Sequence, residues 1–298
     1  MRRGNPNLKK AHQTMEVTYE QIEELKKCMR DPKYFIRRYI YISHPVQGRI
    51  KFNLYDYQED LIDSYHNNRF NVVLSARQTG KTETSCAYIL WYTIFNSDKT
   101  VLVVSKDADA AKEIIKKIQG MYEELPLWLK PGIQDDDWNK HNAAFDNNSR
   151  IVARTTTPTS GRGLAISLLY CDELAFVKPY IQNEFWDSVF PTLSTGGSCI
   201  VTSTPNGDTN LYATIWRGGE AETNGFKASR IYWDQPPGRD EEFKEDMISK
   251  LGERKWLQEF ECLSGDNYIN IEDENGNIFE MTLDQLYRSM ADGKICNI

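Results

Sequence analysis

The feature that most constrains the fold is a regular alternation of short apolar runs with helical patterns, which begins near residue 54. Strands that alternate with helices pair in parallel, because each helix returns the chain to the same end of the sheet. The apolar runs predict strands at 71–74, 100–104, 150–153, 168–171 and 198–202. The helical periodicity predicts helices at 54–65, 82–95 and 108–121. The expected fold class is therefore α/β, with a mostly parallel sheet covered on both faces.

Composition bounds the class of protein further. The chain has 298 residues, of which 40% are hydrophobic and 27% are charged, as in ordinary globular proteins. It contains no apolar run of 18 residues, and no apolar segment follows the basic N-terminus, so we expect neither a membrane span nor a secretory signal. Six scattered cysteines without a C-x-x-C pair favour a reducing cytosol over a disulfide framework or a zinc site.

The charge is unevenly distributed along the chain. The net charge of −7 argues against a passive DNA-coating protein. Residues 262–298 alone hold seven acidic and two basic side chains. This shift predicts a boundary near residue 262. We expect a lead-in with a helical segment at 1–53, a main domain at 54–261 and a separate tail at 262–298.

A phosphate-binding loop is predicted between the first strand of the main domain and the helix that follows it. Backbone N–H groups of such a loop cradle phosphates, Lys81 would reach the β- and γ-phosphates of ATP, and Thr82 would bind Mg²⁺. Ser75 stands where the standard pattern has its first glycine, and a chance G-K-T is the alternative. The segment is Ser75, Ala76, Arg77, Gln78, Thr79, Gly80, Lys81 and Thr82.

A pair of acidic residues ends the predicted strand at 168–171. An apolar strand followed by Asp172 and Glu173 has the Walker B pattern, in which Asp172 would hold Mg²⁺ and Glu173 would orient or deprotonate the attacking water. A simple surface turn is the alternative, but the phosphate-binding loop upstream favours the catalytic interpretation.

Three further segments fit around this pair. Tyr57 and Gln58 are candidates for stacking on adenine and bonding to it. The hydroxyls of Thr202, Ser203 and Thr204 end a predicted strand, where they could sense the γ-phosphate. The basic loop at 159–163 could contact DNA or a neighbouring subunit, or serve as a plain connector, and the sequence leaves these open.

Together these segments resemble the large terminase subunit of tailed phages over roughly residues 20–261. The resemblance rests on Tyr57-Gln58, S-A-R-Q-T-G-K-T at 75–82, S-G-R-G-L at 160–164, L-L-Y-C-D-E at 168–173 and T-S-T-P-N-G at 202–207. It implies that Arg77 is an arginine finger acting in cis and that Glu173 is the catalytic carboxylate. It also implies a coupling motif at Thr202 to Thr204 and an adenine contact at Gln58.

The resemblance implies further properties of the assembled protein. Members of the family are Mg²⁺-dependent ATPases that pump double-stranded DNA into a procapsid. They act as a homo-oligomeric ring with the portal protein and the small terminase subunit. The expected location is the host cytoplasm, with transient residence at the procapsid portal.

The tail resembles the N-terminal half of a split intein. It begins with Cys262 and Gly265-Asp266, and a short hairpin with an Asn-Gly turn and a brief helix follow. This resemblance implies that Cys262 is a splicing nucleophile. It also implies a partner that consists of a C-terminal intein half fused to the nuclease domain of the terminase family, because residues 262–298 are too few to form that domain. The alternative is a truncated linker of the terminase itself.

Two other functions compete with this interpretation. A helicase-like DNA-repair ATPase would take its arginine finger from a second RecA-like domain. A non-catalytic scaffold fragment would keep the fold without the activity, but the intact Lys81-Thr82 and Asp172-Glu173 pairs argue against it.

Overall fold

The computed structural model describes residues 5–262, 268–272, 278–282, 285–286 and 288–289. Its helices are α1 (Tyr19–Arg30), α2 (Pro32–Tyr39), α3 (Asp56–Asn67), α4 (Lys81–Phe95), α5 (Ala108–Glu124), α6 (Pro179–Val189), α7 (Leu211–Glu220), α8 (Glu241–Leu251) and α9 (Glu253–Glu259). Its strands are β1 (Tyr41–His44), β2 (Gly48–Lys51), β3 (Phe70–Ser75), β4 (Thr100–Ser105), β5 (Asn142–Ala144), β6 (Arg150–Thr155), β7 (Leu168–Asp172), β8 (Ser198–Ser203), β9 (Lys227–Ile231), β10 (Tyr268–Glu272) and β11 (Ile278–Thr282).

A seven-stranded sheet forms the centre of the molecule, in the order β5-β6-β4-β7-β8-β3-β9. Every neighbouring pair is parallel except β5 with β6, which is antiparallel. All five strands predicted from the apolar runs lie in this sheet, as β3, β4, β6, β7 and β8. The predicted α/β fold with a mostly parallel sheet is therefore confirmed.

Helices cover both faces of the sheet, as predicted. Alternate residues of one strand enter different cores: Val73 packs in the core beneath α1 to α5, whereas Val72 packs in the core beneath α6, α7 and α9. The largest fully buried side chain of the second core is Trp256 of α9, which stacks on Phe260 at a ring distance of 4.6 Å. Because buried apolar area is the main source of stability, both layers hold the sheet in place.

The N-terminal helices join the first of these cores. Thr18 and Gln21 form a capping box at the start of α1, with the Gln21 Oε1 atom accepting from the Thr18 N–H at 2.9 Å. Asp31 ends α1 and caps α2. The indole N–H of Trp91 donates to the carbonyl of Cys28 at 2.7 Å, which ties α1 to the helix after the phosphate-binding loop.

The tail contains the two strands of the predicted hairpin. β10 and β11 pair in antiparallel register from Tyr268 opposite Thr282 to Glu272 opposite Ile278. The predicted Asn-Gly turn at 275–276 lies outside the described residues. Within the described part of the chain, no helix is long and apolar enough to cross a membrane.

Candidate nucleotide site

The phosphate-binding loop lies between the carboxyl end of β3 and the first turn of α4. Gln78 and Gly80 have φ values of 57° and 79°, so the loop curls through left-handed backbone conformations. The φ of Gly80 favours glycine because other residues rarely adopt it, and a Cβ atom there would also lie 2.6 Å from the Gln58 Nε2 atom. Ser75, in place of the usual first glycine, is fully buried, and its hydroxyl lies 2.6 Å from that of Thr79.

The two catalytic motifs predicted from the sequence meet at an ion pair. The Lys81 Nζ atom lies 2.6 Å from the Glu173 Oε1 atom, although 92 residues separate them in the chain. The other carboxylate oxygen, Oε2, accepts hydrogen bonds at 3.3 Å from the Ser203 hydroxyl and the Thr204 N–H. Glu173 therefore joins the phosphate-binding loop to the end of β8.

Asp172 lies one residue earlier, at the buried end of β7. Its Oδ1 atom accepts hydrogen bonds at 3.0 Å from the Tyr170 and Thr202 hydroxyls. Burial raises the pKa of the Asp172 carboxyl, and the neighbouring charge of Glu173 raises it further. A cation beside this carboxylate would favour its ionised form.

An open cavity of about 250 Å³ lies above these residues. The loop lines it from Arg77 to Thr82, and Glu173 and Thr204 line it from the neighbouring strands. Thr82 and Asp172 supply oxygen donors, the kind that Mg²⁺ prefers when it also binds substrate phosphates. The described residues contain no cluster of three acidic, histidine or cysteine side chains, and a Mg²⁺ site shared with phosphates needs none.

Arg77, the predicted arginine finger, is paired with a carboxylate that the sequence did not suggest. Its Nη1 atom lies 3.0 Å from the Glu259 Oε2 atom, and its backbone N–H donates to the Glu259 carbonyl at 2.8 Å. Glu259 is the last residue of α9, 182 residues further along the chain. The Arg77 side chain is 60% exposed, so it can leave this partner without unfolding its surroundings.

A second arginine holds the backbone of the same loop. The Arg239 guanidinium donates to the carbonyl of Gln78 at 2.7 Å and to those of Arg77 and Trp233 at 3.1 and 3.2 Å. It also lies over the rings of aromatic residues in α8 and just after α9. The segment that carries α8 and α9 is therefore fixed to the phosphate-binding loop.

Tyr57 and Gln58, the predicted adenine contacts, support the loop from the other side. The Tyr57 hydroxyl and the Gln58 Nε2 atom both donate to the carbonyl of Thr79, at 2.9 and 3.1 Å. Both side chains are buried, whereas Tyr55, stacked on Tyr57, is 44% exposed. The structure shows a bracing role for the pair, and their contact with adenine stays a prediction.

The basic loop at 159–163 is anchored at one end and exposed at the other. The Ser160 hydroxyl donates to the Thr155 carbonyl at 2.6 Å, and the Arg154 side chain donates to the Ser160 carbonyl. Gly161 is packed against Val189, where a Cβ atom would come within 2.5 Å. Arg162 is exposed, and Gly163 has a φ of 77°.

Cys262, the predicted splicing nucleophile, is the last described residue before the first gap in the tail. It is 5% exposed and packs in the core beneath α6, α7 and α9. Burial raises the pKa of its thiol to about 12. The thiol is therefore protonated at neutral pH.

Fold and site together define a class of protein. A parallel sheet with a phosphate-binding loop after β3, and an Asp-Glu pair at the end of β7, is the architecture of a P-loop nucleotide hydrolase of the RecA-like type.

Comparison with known proteins identifies the family. A family model described as "Terminase large subunit, T4likevirus-type, N-terminal" matches residues 72–283. The chain belongs to this family.

Solved structures of large terminases share the fold at low sequence identity. The ATPase domain of the Thermus phage P74-26 large terminase is 19% identical, with a TM-score of 0.57, over 71% of this chain and 94% of that one. The large terminase of bacteriophage HK97 is 16% identical, with a TM-score of 0.59, over 90% and 52%. The large terminase of a thermophilic bacteriophage, in complex with ADP, is 12% identical, with a TM-score of 0.58, over 72% and 55%. The chain thus spans about half the length of these last two proteins.

Proposed function

We propose that this chain is the ATP-hydrolysing motor domain of a DNA-packaging terminase. The observation that carries the proposal is the contact between Lys81 and Glu173, both of which line the cavity. In a site of this kind the lysine binds phosphates, and the carboxylate positions the attacking water. The structures of the thermophilic-phage terminase with ADP and with ATP-gamma-S support nucleotide binding by the shared fold.

The first step that we infer is an exchange of partners by Lys81. Its ammonium group neutralises Glu173 at 2.6 Å. Phosphates seated on the loop would draw Lys81 away, because they carry more negative charge than one carboxylate. Glu173 would then be free to orient a water molecule, still held by Ser203 and the Thr204 N–H.

Asp172 and Thr82 are the residues that would hold Mg²⁺. When bound, it would supply positive charge that neutralises the phosphates. Tyr170 and Thr202 fix the Asp172 carboxylate through hydrogen bonds to Oδ1. Their role is to orient that carboxylate.

Arg77 would stabilise charge on the transferring phosphoryl group. It lines the cavity, and its described carboxylate partner is Glu259. The coupling role proposed for Thr202 to Thr204 rests on their bonds to Asp172 and Glu173, through which a change at the phosphates would reach β8.

Double-stranded DNA, the portal protein, the small terminase subunit and a homo-oligomeric ring are proposed partners, inferred from the family. The proposed location is the host cytoplasm and, transiently, the procapsid portal.

The test is ATP hydrolysis by the purified chain with and without duplex DNA, followed by packaging with procapsids. We expect Mg²⁺-dependent hydrolysis that duplex DNA stimulates. A chain that neither binds nor hydrolyses ATP would instead support the scaffold alternative.

We also propose that the tail is the N-terminal half of a split intein, supported by the antiparallel β10–β11 pair that follows Cys262. The family match, which extends to residue 283, supports the alternative of a linker that belongs to the terminase. In the splicing mechanism the Cys262 sulfur attacks the carbonyl carbon of Glu261. The peptide C–N bond breaks, the thiol proton passes to the leaving nitrogen, and a thioester forms.

Mixing the chain with a candidate C-terminal intein half tests this second proposal. Mass spectrometry should detect a product in which Glu261 is joined to the partner's nuclease segment and residues 262–298 are lost. Cys262→Ala should abolish that product. A partner that yields no joined product would assign the tail to the linker, and a Cys262→Ala chain that still splices would show that Cys262 is not the nucleophile.

A further inference from the structure

Three basic residues line the nucleotide cavity, and the function described above accounts for two. Lys81 is paired with Glu173, and Arg77 is paired with Glu259. The third is Lys106, the residue that follows β4. Its described contact is with the face of the Phe176 ring, 5.7 Å from the ring centroid, and no carboxylate among the described residues pairs with it.

The strand register explains why Lys106 reaches the cavity. β4 pairs in parallel with β7, and Ser105 lies opposite Asp172. The residue after Ser105 therefore emerges beside Glu173, at the carboxyl edge of the sheet. Phe176 lies in the short 3-10 turn directly after Glu173, which places its ring within reach of the Lys106 ammonium group.

The strand order places Lys106 on the far side of the site from the phosphate-binding loop. Moving along the sheet, β4 is followed by β7, β8 and β3, and the loop leaves from β3. Asp172 and Glu173 lie between the two. A nucleotide on the loop whose γ-phosphate faced these acidic residues, as hydrolysis at Glu173 requires, would also have that phosphate on the side of Lys106.

We propose that Lys106 is a further catalytic residue that contacts the γ-phosphoryl group of ATP and stabilises the charge on it in the transition state. The Phe176 ring holds the ammonium group at the cavity wall. Because Lys106 is exposed and no described carboxylate pairs with it, its ammonium group breaks no ion pair when a phosphate binds. Its positive charge is therefore available to stabilise the phosphoryl group. The proposal rests on the proposed ATPase function of the same cavity.

The experiment compares wild type with Lys106→Met, which keeps the length of the side chain and removes its charge, and with Lys106→Arg. Lys116→Met is the matched control, because Lys116 is an exposed lysine of α5 that pairs with Glu113, away from the cavity. Turnover with and without duplex DNA and the affinities for ADP and for ATP-gamma-S are measured for each protein.

We expect Lys106→Met to lower kcat by about 10²-fold, as removal of one transition-state donor does, and Lys106→Arg to retain more activity than Lys106→Met. ADP affinity should stay within about twofold of wild type, while ATP-gamma-S affinity falls further, because only the latter carries a γ-phosphoryl group. Lys116→Met should match wild type in every measurement.

Three results would overturn the assignment. Wild-type turnover by Lys106→Met would remove Lys106 from the reaction, and an equal loss of ADP and ATP-gamma-S affinity would make it a general support of the site. Loss of DNA stimulation alone would make it a DNA contact.

If wild type itself fails to hydrolyse ATP, the proposed ATPase function fails with the inference. If wild type hydrolyses ATP and Lys106→Met does so equally, only the inference fails.

Discussion

Glu173 shows how a single backbone conformation assembles the site. Its φ of 53° lies in the left-handed region, which non-glycine residues rarely occupy, at a cost of about 1 kcal/mol or more. The conformation turns the chain sharply at the end of β7 and brings the carboxylate to Lys81 on one side and to Thr204 on the other. Backbone strain of this kind is concentrated at functional sites because the surrounding contacts maintain it.

Arg77 provides a prediction at the same scale. Arg77→Lys keeps a positive charge and loses the planar fork that matches phosphate oxygens. We expect ATP affinity close to that of wild type and turnover lower by on the order of 10³-fold, as for other arginine fingers. Arg150→Lys, at the amino end of β6, is the control. If affinity and turnover fell together, Arg77 would be a ground-state ligand of the phosphates.

Glu259 provides a second residue-scale prediction, because its carboxylate is paired with the Arg77 side chain. Glu259→Gln removes the charge and keeps the shape of the side chain. We expect kcat to rise by up to about fivefold with little change in the KM for ATP, because Arg77 acts in the transition state. The change is modest because an ion pair with a 60% exposed arginine is weak. Lys255→Met, which removes the other described cation near Glu259, is the matched control. An unchanged kcat in Glu259→Gln would show that the pair does not restrain Arg77.

At the scale of elements, the phosphate-binding loop is held from two sides. Tyr57 and Gln58 of α3 bond to the carbonyl of Thr79, and Arg239 bonds to the carbonyls of Arg77 and Gln78. Each bond restrains a backbone whose N–H groups must point toward the phosphates. The loop is therefore preorganised by elements that precede and follow it in sequence.

Tyr57→Phe separates the bracing role of Tyr57 from the adenine contact predicted from the sequence. The substitution keeps the aromatic ring and removes the hydroxyl that bonds to Thr79 at 2.9 Å. We expect a loss of about 1 kcal/mol in the free energy of unfolding, which corresponds to a Tm lower by about 2–4 °C. The preference for ATP over GTP should not change. A wild-type Tm combined with lost adenine preference would favour the adenine contact.

The strands of the central sheet that the sequence predicted are those with buried residues on both faces. β3, β4, β6, β7 and β8 contain continuous apolar runs because helices cover the sheet above and below. β9 carries Lys227 and Arg230 and lies at the edge of the sheet, and β5 has only three residues, so neither gives that signal.

The same reasoning explains which site residues the sequence indicated. Lys81, Thr82, Asp172 and Glu173 lie within local motifs at the ends of predicted strands. The partners Glu259 and Arg239 come to the loop from more than 150 residues away, and no local pattern marks them. The position of Lys106 after an apolar strand was the one available signal for its place at the edge of the sheet.

At the scale of the whole molecule, the segment from α8 to the tail is joined to the nucleotide site. Glu259 contacts Arg77, and Cys262 lies three residues later in the core of the ATPase domain. All five cysteines among the described residues are buried and free. A chain whose candidate nucleophile is buried should be inert in isolation.

Thiol alkylation tests that inertness. Because burial raises the pKa of Cys262 to about 12, its thiolate fraction at pH 8 should be about 10³-fold lower than that of an ordinary cysteine. Iodoacetamide should therefore label the Cys262 peptide slowly in the native chain and rapidly after unfolding in urea. Rapid labelling of native Cys262 would contradict the buried environment and favour a thiol poised for splicing.

Whether Lys81 and Glu173 form the catalytic site of an ATPase is decided by measuring ATP affinity and turnover separately in Glu173→Gln. The amide keeps the size of the side chain and loses the carboxylate that positions water. We expect near-normal ATP affinity with turnover lower by about 10²–10⁴-fold, whereas Lys81→Ala should lose affinity as well. Hydrolysis of ATP by Glu173→Gln at the wild-type rate would show that Glu173 is not the catalytic carboxylate.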